Sequence, residues 1–517
     1  MKRVVFLSIL AFALSSFAAQ AQKKMGRYHK NLLYEADLYL VQGDYYYSAE
    51  LYEELLRVSP KNAEINGKLG ICYYNLPTMK PQAREALERA VDGGDTEALY
   101  YLAKLKHEDY LFYDALELLE RYERRPSREK TAAEIERAKE ISKRASVLVK
   151  DPLLVKIENL GPGVNSSAHD YAPVWDMSGD RIYFTSRRRF DDKSEKDFTE
   201  QFDENIYVIN LEEESLEARP ALGSINSRSN DAAVACSHDG NELIVYRTSK
   251  DGFSGDLYKA VHTEDGWGKL EKLSEKINSR YQEASASYGG PEQNVLYFSS
   301  DRPGGYGGKD IYKVQQLPDG TWSEPFNLGP TINTPYDEDA PFIAADGTLY
   351  FASKGHDNMG GFDIFSARPL TGGYSEPVNL GYPINTPADD IFFSIEPQGK
   401  QAYFSSDRKG GYGLQDIYTV HLNLDETIIY RGKLLSMGMP VKSRATVTLI
   451  EKQGVENRVL FQVETGKSEF ILALDAEKAY TVEVEADGYG QSTRDLHFEL
   501  PVSGTKEVVE DIELSRK

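Results

Sequence analysis

The sequence predicts a multidomain chain with three architectures in series: an α-helical solenoid, a closed ring of β-sheets and a small β-sandwich. Three observations predict it. Residues 27–150 carry helical periodicity with a repeat near 34 residues. Five copies of a β-rich unit follow, each slightly over fifty residues long. Residues 426–517 then change to alternating strands with no such repeat. A chain of 517 residues is too long for one core. With 40% hydrophobic and 11% aromatic residues it has the composition of folded protein.

In the first region Ala49, Ala83 and Ala115 recur at spacings of 34 and 32. Leu69-Gly70-x-x-Tyr73 is echoed by Leu102-Ala103, 33 residues on, and Pro60 closes the first unit. Small residues let paired helices approach, and aromatics fill the grooves between neighbours. This pattern resembles tetratricopeptide repeats over about three units. The resemblance implies a concave groove that takes a segment of a protein partner. Residues 128–148 read as a charged capping helix before a linker at Asp151-Pro152.

The second region is marked by a short tag: Val164-Asn165-Ser166, Ile225-Asn226-Ser227, Ile277-Asn278-Ser279, Ile332-Asn333-Thr334 and Ile384-Asn385-Thr386. The steps between tags are 61, 52, 55 and 52 residues. Each tag precedes a β stretch, an aromatic β stretch (LYFSS, AYFSS and relatives), a turn and a third stretch of the Asp310-Ile311-Tyr312 type. Then comes a strand ending in Asn-Leu-Gly or its like, as at Asn327-Leu328-Gly329 and Asn379-Leu380-Gly381. One such unit exposes an apolar face, and radial repetition buries it, as in a β-propeller. The fifth unit lacks its last strand, and an orphan copy, Val155 to Gly161, lies before the first. Donating it would latch the ring, giving five blades; six is the alternative, if something outside the repeat forms a blade. The repeats resemble the WD40-like, TolB-type propeller over about residues 153–423. The second unit departs most, with Tyr246-Arg247 and no Gly-Gly turn.

Six residues beyond each tag start stands an acid: Asp170, Asp231, Glu283, Glu338 and Asp390. One offset in a propeller means one radius and one height, so these five form a ring near the start of the innermost strands. They are the candidate binding residues, a mouth for a cation or a basic side chain. The alternative is that each accepts hydrogen bonds from a turn of its own unit. Asp301 and Asp407 read as plain turn residues.

Residues 426–517 read as an antiparallel sandwich from IIYRGKLL, ATVTLIEK, RVLFQVE, EFILAL, AYTVEVEA, DLHFEL and EVVEDIEL. The order resembles the carboxypeptidase regulatory-like fold, which implies a rigid or adhesive module without catalysis.

No nucleophile elbow, metalloprotease helix, phosphate loop or Cys/His cluster occurs, so neither an enzyme nor a cofactor nor a metal site is expected. His169-Asp170 is the nearest thing to a catalytic pair. A glycosidase would need two carboxylates across a pocket, which a symmetric ring does not suggest. The charge of −22 argues against nucleic acid. The start, MKRVVFLSILAFALSSFAAQAQ, has a basic head, a short apolar run and Ala19-Gln20-Ala21, so residues 1–21 read as a cleaved export signal with no Cys for lipid attachment. Cys72 and Cys236 are too few and too separated to form a disulfide framework.

The whole order resembles multidomain envelope proteins of Bacteroidetes, which usually end in an OmpA-like domain that grips peptidoglycan. Some are periplasmic accessories of the type IX secretion system. This sequence stops after the sandwich, so peptidoglycan binding is not carried over. The resemblance implies a non-enzymatic scaffold holding protein partners at the periplasmic face of the outer membrane. The alternative is a glycan- or peptidoglycan-binding propeller, for which Trp175, Trp267 and Trp322 would matter.

Overall fold

A computed structural model describes residues 27–517 except 126–127, 177–180, 198–200, 250–253, 291–293, 397–398, 423–426, 454–455, 466–467, 476–477 and 499–505. The export segment read at residues 1–21 lies outside the described residues. The chain divides into two compact units. One runs to His107 and resumes at Tyr113–Lys139; the other holds Glu108–Phe112 and Glu140–Lys517.

Seven described α-helices come first: α1 (Arg27–Gln42), α2 (Tyr45–Val58), α3 (Ala63–Tyr74), α4 (Lys80–Asp92), α5 (Glu97–Glu108), α6 (Phe112–Glu123) and α7 (Ala132–Leu148). Their starts are set by capping. Asp44 accepts from the Tyr47 N–H, Asn62 from Ile65, and Asp95 from Ala98. Thr131 and Glu134 form a reciprocal capping box at α7. The recurrent small residues sit where helices cross. Ala49, Ala83 and Ala115 are buried, and a Cβ on Gly70 would meet the Leu87 side chain at 2.6 Å. Buried Cys72 lies against Ser48, within that packing.

Five antiparallel sheets follow, four of them four-stranded and the second five-stranded. The first contains Asp170–Asp176, Arg181–Ser186, Asn205–Asn210 and Arg219–Pro220. The second contains Asp231–Cys236, Glu242–Thr248, Gly255–Thr263 and Glu271–Lys272, with Gly266–Trp267 pairing on Gly255–Thr263. The third contains Ala286–Gly289, Val295–Ser300, Asp310–Gln315 and Phe326–Asn327. The fourth contains Glu338–Ile343, Leu349–Ser353, Asp363–Ala367 and Val378–Asn379. The fifth joins Asp390–Ile395, Gln401–Ser406 and Asp416–His421 to Lys156–Asn159, the orphan strand, which pairs with the third strand from Lys156↔His421 to Asn159↔Tyr418. Each sheet's first strand touches that of the next, and the fifth touches the first, closing a cycle. Five hydrophobic cores fill the five junctions rather than the sheets themselves. Each contains the aliphatic residue of one tag: Val164, Ile225, Ile277, Ile332 or Ile384.

The near-identical turns at 298–312 and 404–418 are explained by close approach. A Cβ on Gly307 would meet the Thr334 and Tyr336 carbonyl oxygens at 2.3 Å. A Cβ on Gly413 would meet those of Ala168 and Ser166 at 2.2 and 2.4 Å. The turn of one sheet lies flush on the backbone that starts the next, and only glycine fits.

The C-terminal region holds two four-stranded sheets around a core that includes Tyr430, Val447, Leu472 and Val482. One departure from the expected antiparallel sandwich appears. The last strand, Lys506–Glu513, runs parallel to the first, Thr427–Ser436. Hydrophobic alternation marks which face a strand buries, not the direction of its partner. No described helix is long and apolar enough to cross a membrane.

Gly413→Ala should destabilise the ring by about 2 kcal/mol or more, because backbone oxygens cannot move aside. Gly373→Ala, with nothing within 4 Å of its Cβ, should stay within about 0.5 kcal/mol of the parent. All three tryptophans lie in residues 175–322, so urea unfolding followed by tryptophan fluorescence reads this region alone.

Candidate functional site

The five candidate acids are placed alike. Asp170, Asp231, Glu338 and Asp390 begin the first strands of their sheets, and Glu283 precedes one by three residues. None is more than 1% exposed. Each accepts two hydrogen bonds from the Ser or Thr of its own tag, one from N–H and one from the hydroxyl. Four also accept from an arginine: Arg188 on Asp170, Arg247 on Asp231, Arg302 on Glu283 (3.1 Å) and Arg408 on Asp390 (2.6 Å). The same guanidinium donates to the carbonyl of the tag's aliphatic residue. In the second sheet Arg247 sits on the strand itself, opposite Asp231, where the first and fifth sheets place Ser186 and Ser406. That substitution is why this unit lacks the usual turn arginine.

The fourth sheet departs. Where the other sheets place an arginine, Ser353 donates to Glu338 and the His356 ring meets the Ile332 carbonyl. Burial, with Asp310 nearby, outweighs the bonds from Thr334 and Ser353 and pushes Glu338 up to about 7.

The tag's Asn completes the device. Its amide oxygen accepts from a third-strand N–H of the preceding sheet and its amide nitrogen donates to the same residue's carbonyl: Asn226 on Ile206, Asn278 on Leu257, Asn333 on Ile311, Asn385 on Ile364. Asn165 does this to Ile417, 252 residues away, across the closing junction.

The acids therefore do not form a mouth. A central cavity of about 60 Å³ runs between the first strands, and none of the five lines it. Small and apolar side chains do, among them Ala172, Ala235, Ala286, Ala340 and Phe392. That volume holds a few waters. The bonded partners were not legible in the acid spacing alone; the Ser or Thr four residues before each acid was the available signal.

One asymmetric cluster does not follow the repeat. Asp339, next to Glu338, is bound by Lys309 at 2.8 Å, by Ser299 at 2.7 Å and by Ser285. The equivalent residues elsewhere are Tyr171, Ala232, Ala284 and Ile391, so the signal was a departure from the repeat. Burial opposes its ionisation, but Lys309 and the hydroxyls outweigh it and hold Asp339 at about 2. The pair is a fixed ion pair at neutral pH and exchanges no proton. His169 is no better a base. Burial and Arg187 push its ring down to about 4, and Asp170 is occupied by Ser166 and Arg188. Among the described residues no group of three or more His, Cys, Asp or Glu could hold a metal ion.

The tryptophans pack rather than present a platform. Trp175 lies edge-on to Tyr403, and Trp267 to Tyr183 and His262. Trp322 packs against the core between the second and third sheets.

On the helices, aromatics gather on the first members of successive pairs. Tyr74 of α3 meets Tyr101 of α5 at 5.6 Å, and Tyr101 meets Tyr100 at 5.6 Å. Lys104 and Lys80 lie 5.2 and 5.9 Å over the Tyr74 ring, and Lys130 lies 5.5 Å over Tyr100. These tyrosines are half-buried. Lys68 of α3 bridges to Asp37 of α1 at 3.0 Å, so α1 and α3 also stand side by side.

The sequence matches no family model and no curated protein. Similar solved structures include an endo-arabinase from Bacteroides thetaiotaomicron, at 14% identity over 51% of this chain and 97% of that one, TM-score 0.34. A protein of unknown function from Dyadobacter fermentans is similar at 11% identity over 48% of this chain and 75% of that one, TM-score 0.32. A prolyl endopeptidase is similar at 14% identity over 61% of this chain, TM-score 0.27, and the chain spans 38% of its length. At such TM-scores these likenesses bear on neither activity nor ligand.

Two outcomes follow from the acid device. Arg408→Leu leaves the buried Asp390 charge without its counter-ion and should destabilise the ring by about 3–5 kcal/mol, read by urea unfolding. Glu338 holds a proton in the folded state between its ordinary 4.5 and about 7. The unfolded chain does not, so stability from this group falls as pH rises through that window. Glu338→Gln should remove that fall, visible as a flatter dependence of the urea midpoint on pH.

Proposed function

We propose that the protein is a non-enzymatic scaffold of the bacterial cell envelope that holds protein partners through its helical unit. In this reading residues 27–150 are a tetratricopeptide-type solenoid, residues 153–423 a five-bladed TolB-type propeller and residues 426–517 a regulatory-like sandwich. The observation that carries it is the band of half-buried tyrosines on α3 and α5 with lysine ammoniums over their rings. Tyrosine offers a large apolar contact with a polar tip at low entropic cost, and such rings dominate protein interfaces. The five buried, fully bonded acids fit a ring that serves as a rigid platform.

The envelope location rests on the export-type start of the sequence and on the order of the three regions. A role beside the type IX secretion machinery is the form this takes in the proteins the sequence resembles. Among the described residues the ring acids are occupied and Lys309 and Asp339 are paired with each other, which supports a non-enzymatic reading. The glycan-binding alternative draws less support, since the central cavity is small and the tryptophans are packed.

Crosslinking in intact envelopes, followed by capture of the tagged protein and mass spectrometry, tests the proposal. The parent should recover envelope proteins. Tyr74→Ala/Tyr101→Ala/Lys104→Glu should lose them while keeping its helical circular dichroism. Equal recovery from the variant would remove the helical unit from the account. A glycan array with the full chain should be blank.

A further inference from the structure

A second cavity is larger than the central one. It measures about 320 Å³ and lies where the closing strand of the ring faces the C-terminal sandwich. Val155, Ile157 and Pro383 line it from the ring, and Leu449, Leu472 and Tyr480 from the sandwich. Leu154 and Val459 also line it and are 45% and 44% exposed, so the cavity is reached from solvent past apolar side chains. Pockets of this make, at a junction between folded parts, are the usual place for a small ligand.

The charges around it are committed to one another. Lys478 of the sandwich meets Glu158 of the closing strand at 3.1 Å and Glu451 of its own sheet at 3.2 Å. Glu158 also takes Lys156 at 3.4 Å and His421 at 3.2 Å. Burial opposes the ionisation of Glu158, yet His421, Lys156 and Lys478 outweigh it and hold the carboxyl at about 2. On the other side Arg408 is held by Asp390 at 2.6 Å, and Lys409 by Asp109. An ionic ligand would have to break one of these pairs and leave a charge uncompensated, which costs more than the new pair returns. Tyr382, Tyr412 and Tyr480 add aromatic surface to the lining.

We propose that this cavity binds a neutral, mainly apolar small molecule, a single chain or a small ring bearing at most hydroxyl or carbonyl groups. The ligand would touch the ring and the sandwich at once. Its binding would therefore stiffen the junction that the Lys478–Glu158 pair already spans. This site is independent of the helical unit and of the scaffold proposal.

The test is fluorescence titration of the full chain with N-phenyl-1-naphthylamine, a neutral apolar probe. Saturable one-site enhancement is expected, displaced by 1-dodecanol and not by dodecanoate. Val459→Phe and Leu154→Phe, both on the solvent side of the wall, should each weaken uptake about tenfold. Val261→Phe, equally exposed on the second sheet, should leave it unchanged. No saturable uptake, or uptake unchanged in both filled variants, overturns the proposal. Displacement by dodecanoate as strong as by dodecanol overturns the neutral-ligand assignment.

Discussion

Everything in the ring depends on a three-residue tag that binds in three directions. Its aliphatic residue enters the core of a junction, its Asn clamps the third strand of the sheet behind, and its Ser or Thr caps the buried acid of the sheet ahead. None of the five β-units has a core of its own, because the hydrophobic clusters lie between sheets. The tag is the part of each unit that belongs to both neighbours. It converts a row of meanders into a ring whose stability is shared among junctions. The arginine that spans acid and tag backbone fixes the same geometry with a charge, at a site where an unpaired carboxylate would be costly.

The architecture was legible because these constraints repeat. A period near fifty residues, one offset for the acids and an orphan Asn159-Leu160-Gly161 were enough to expect a ring closed by a strand from before its first unit. Asn159 occupies the place that Asn327 and Asn379 hold in other sheets: it donates to the third-strand acid, Asp416, and accepts from the Asn of the tag. The role of the acids was less legible. An offset fixes where a carboxylate sits but not what reaches it, and the partners come from a tag residue four back and, for four of the acids, an arginine 16, 18 or 19 residues on. Lys309 and Asp339 were hidden for the opposite reason, since a search for what repeats passes over what does not. The parallel last strand of the sandwich was illegible because periodicity carries no record of direction.

Function divides along the same line. Features shared by all five sheets hold the ring together, so both proposed binding sites lie outside the repeat: the tyrosine and lysine band of α3 and α5, and the cavity beside the closing strand. The closing strand is the point where the ring, the sandwich and that cavity meet. Glu158 there is bound from both sides, by His421 of the fifth sheet and Lys478 of the sandwich.

The central claim is that the tag's amide clamp closes the ring. Hydrogen exchange of an Asn165→Ala variant against the parent tests it most directly. The account predicts that the Ile417 amide and strand Lys156–Asn159 lose protection together, while Ile311 and Ile364, clamped by their own tags, keep theirs. Unchanged exchange at Ile417 and the closing strand would contradict it.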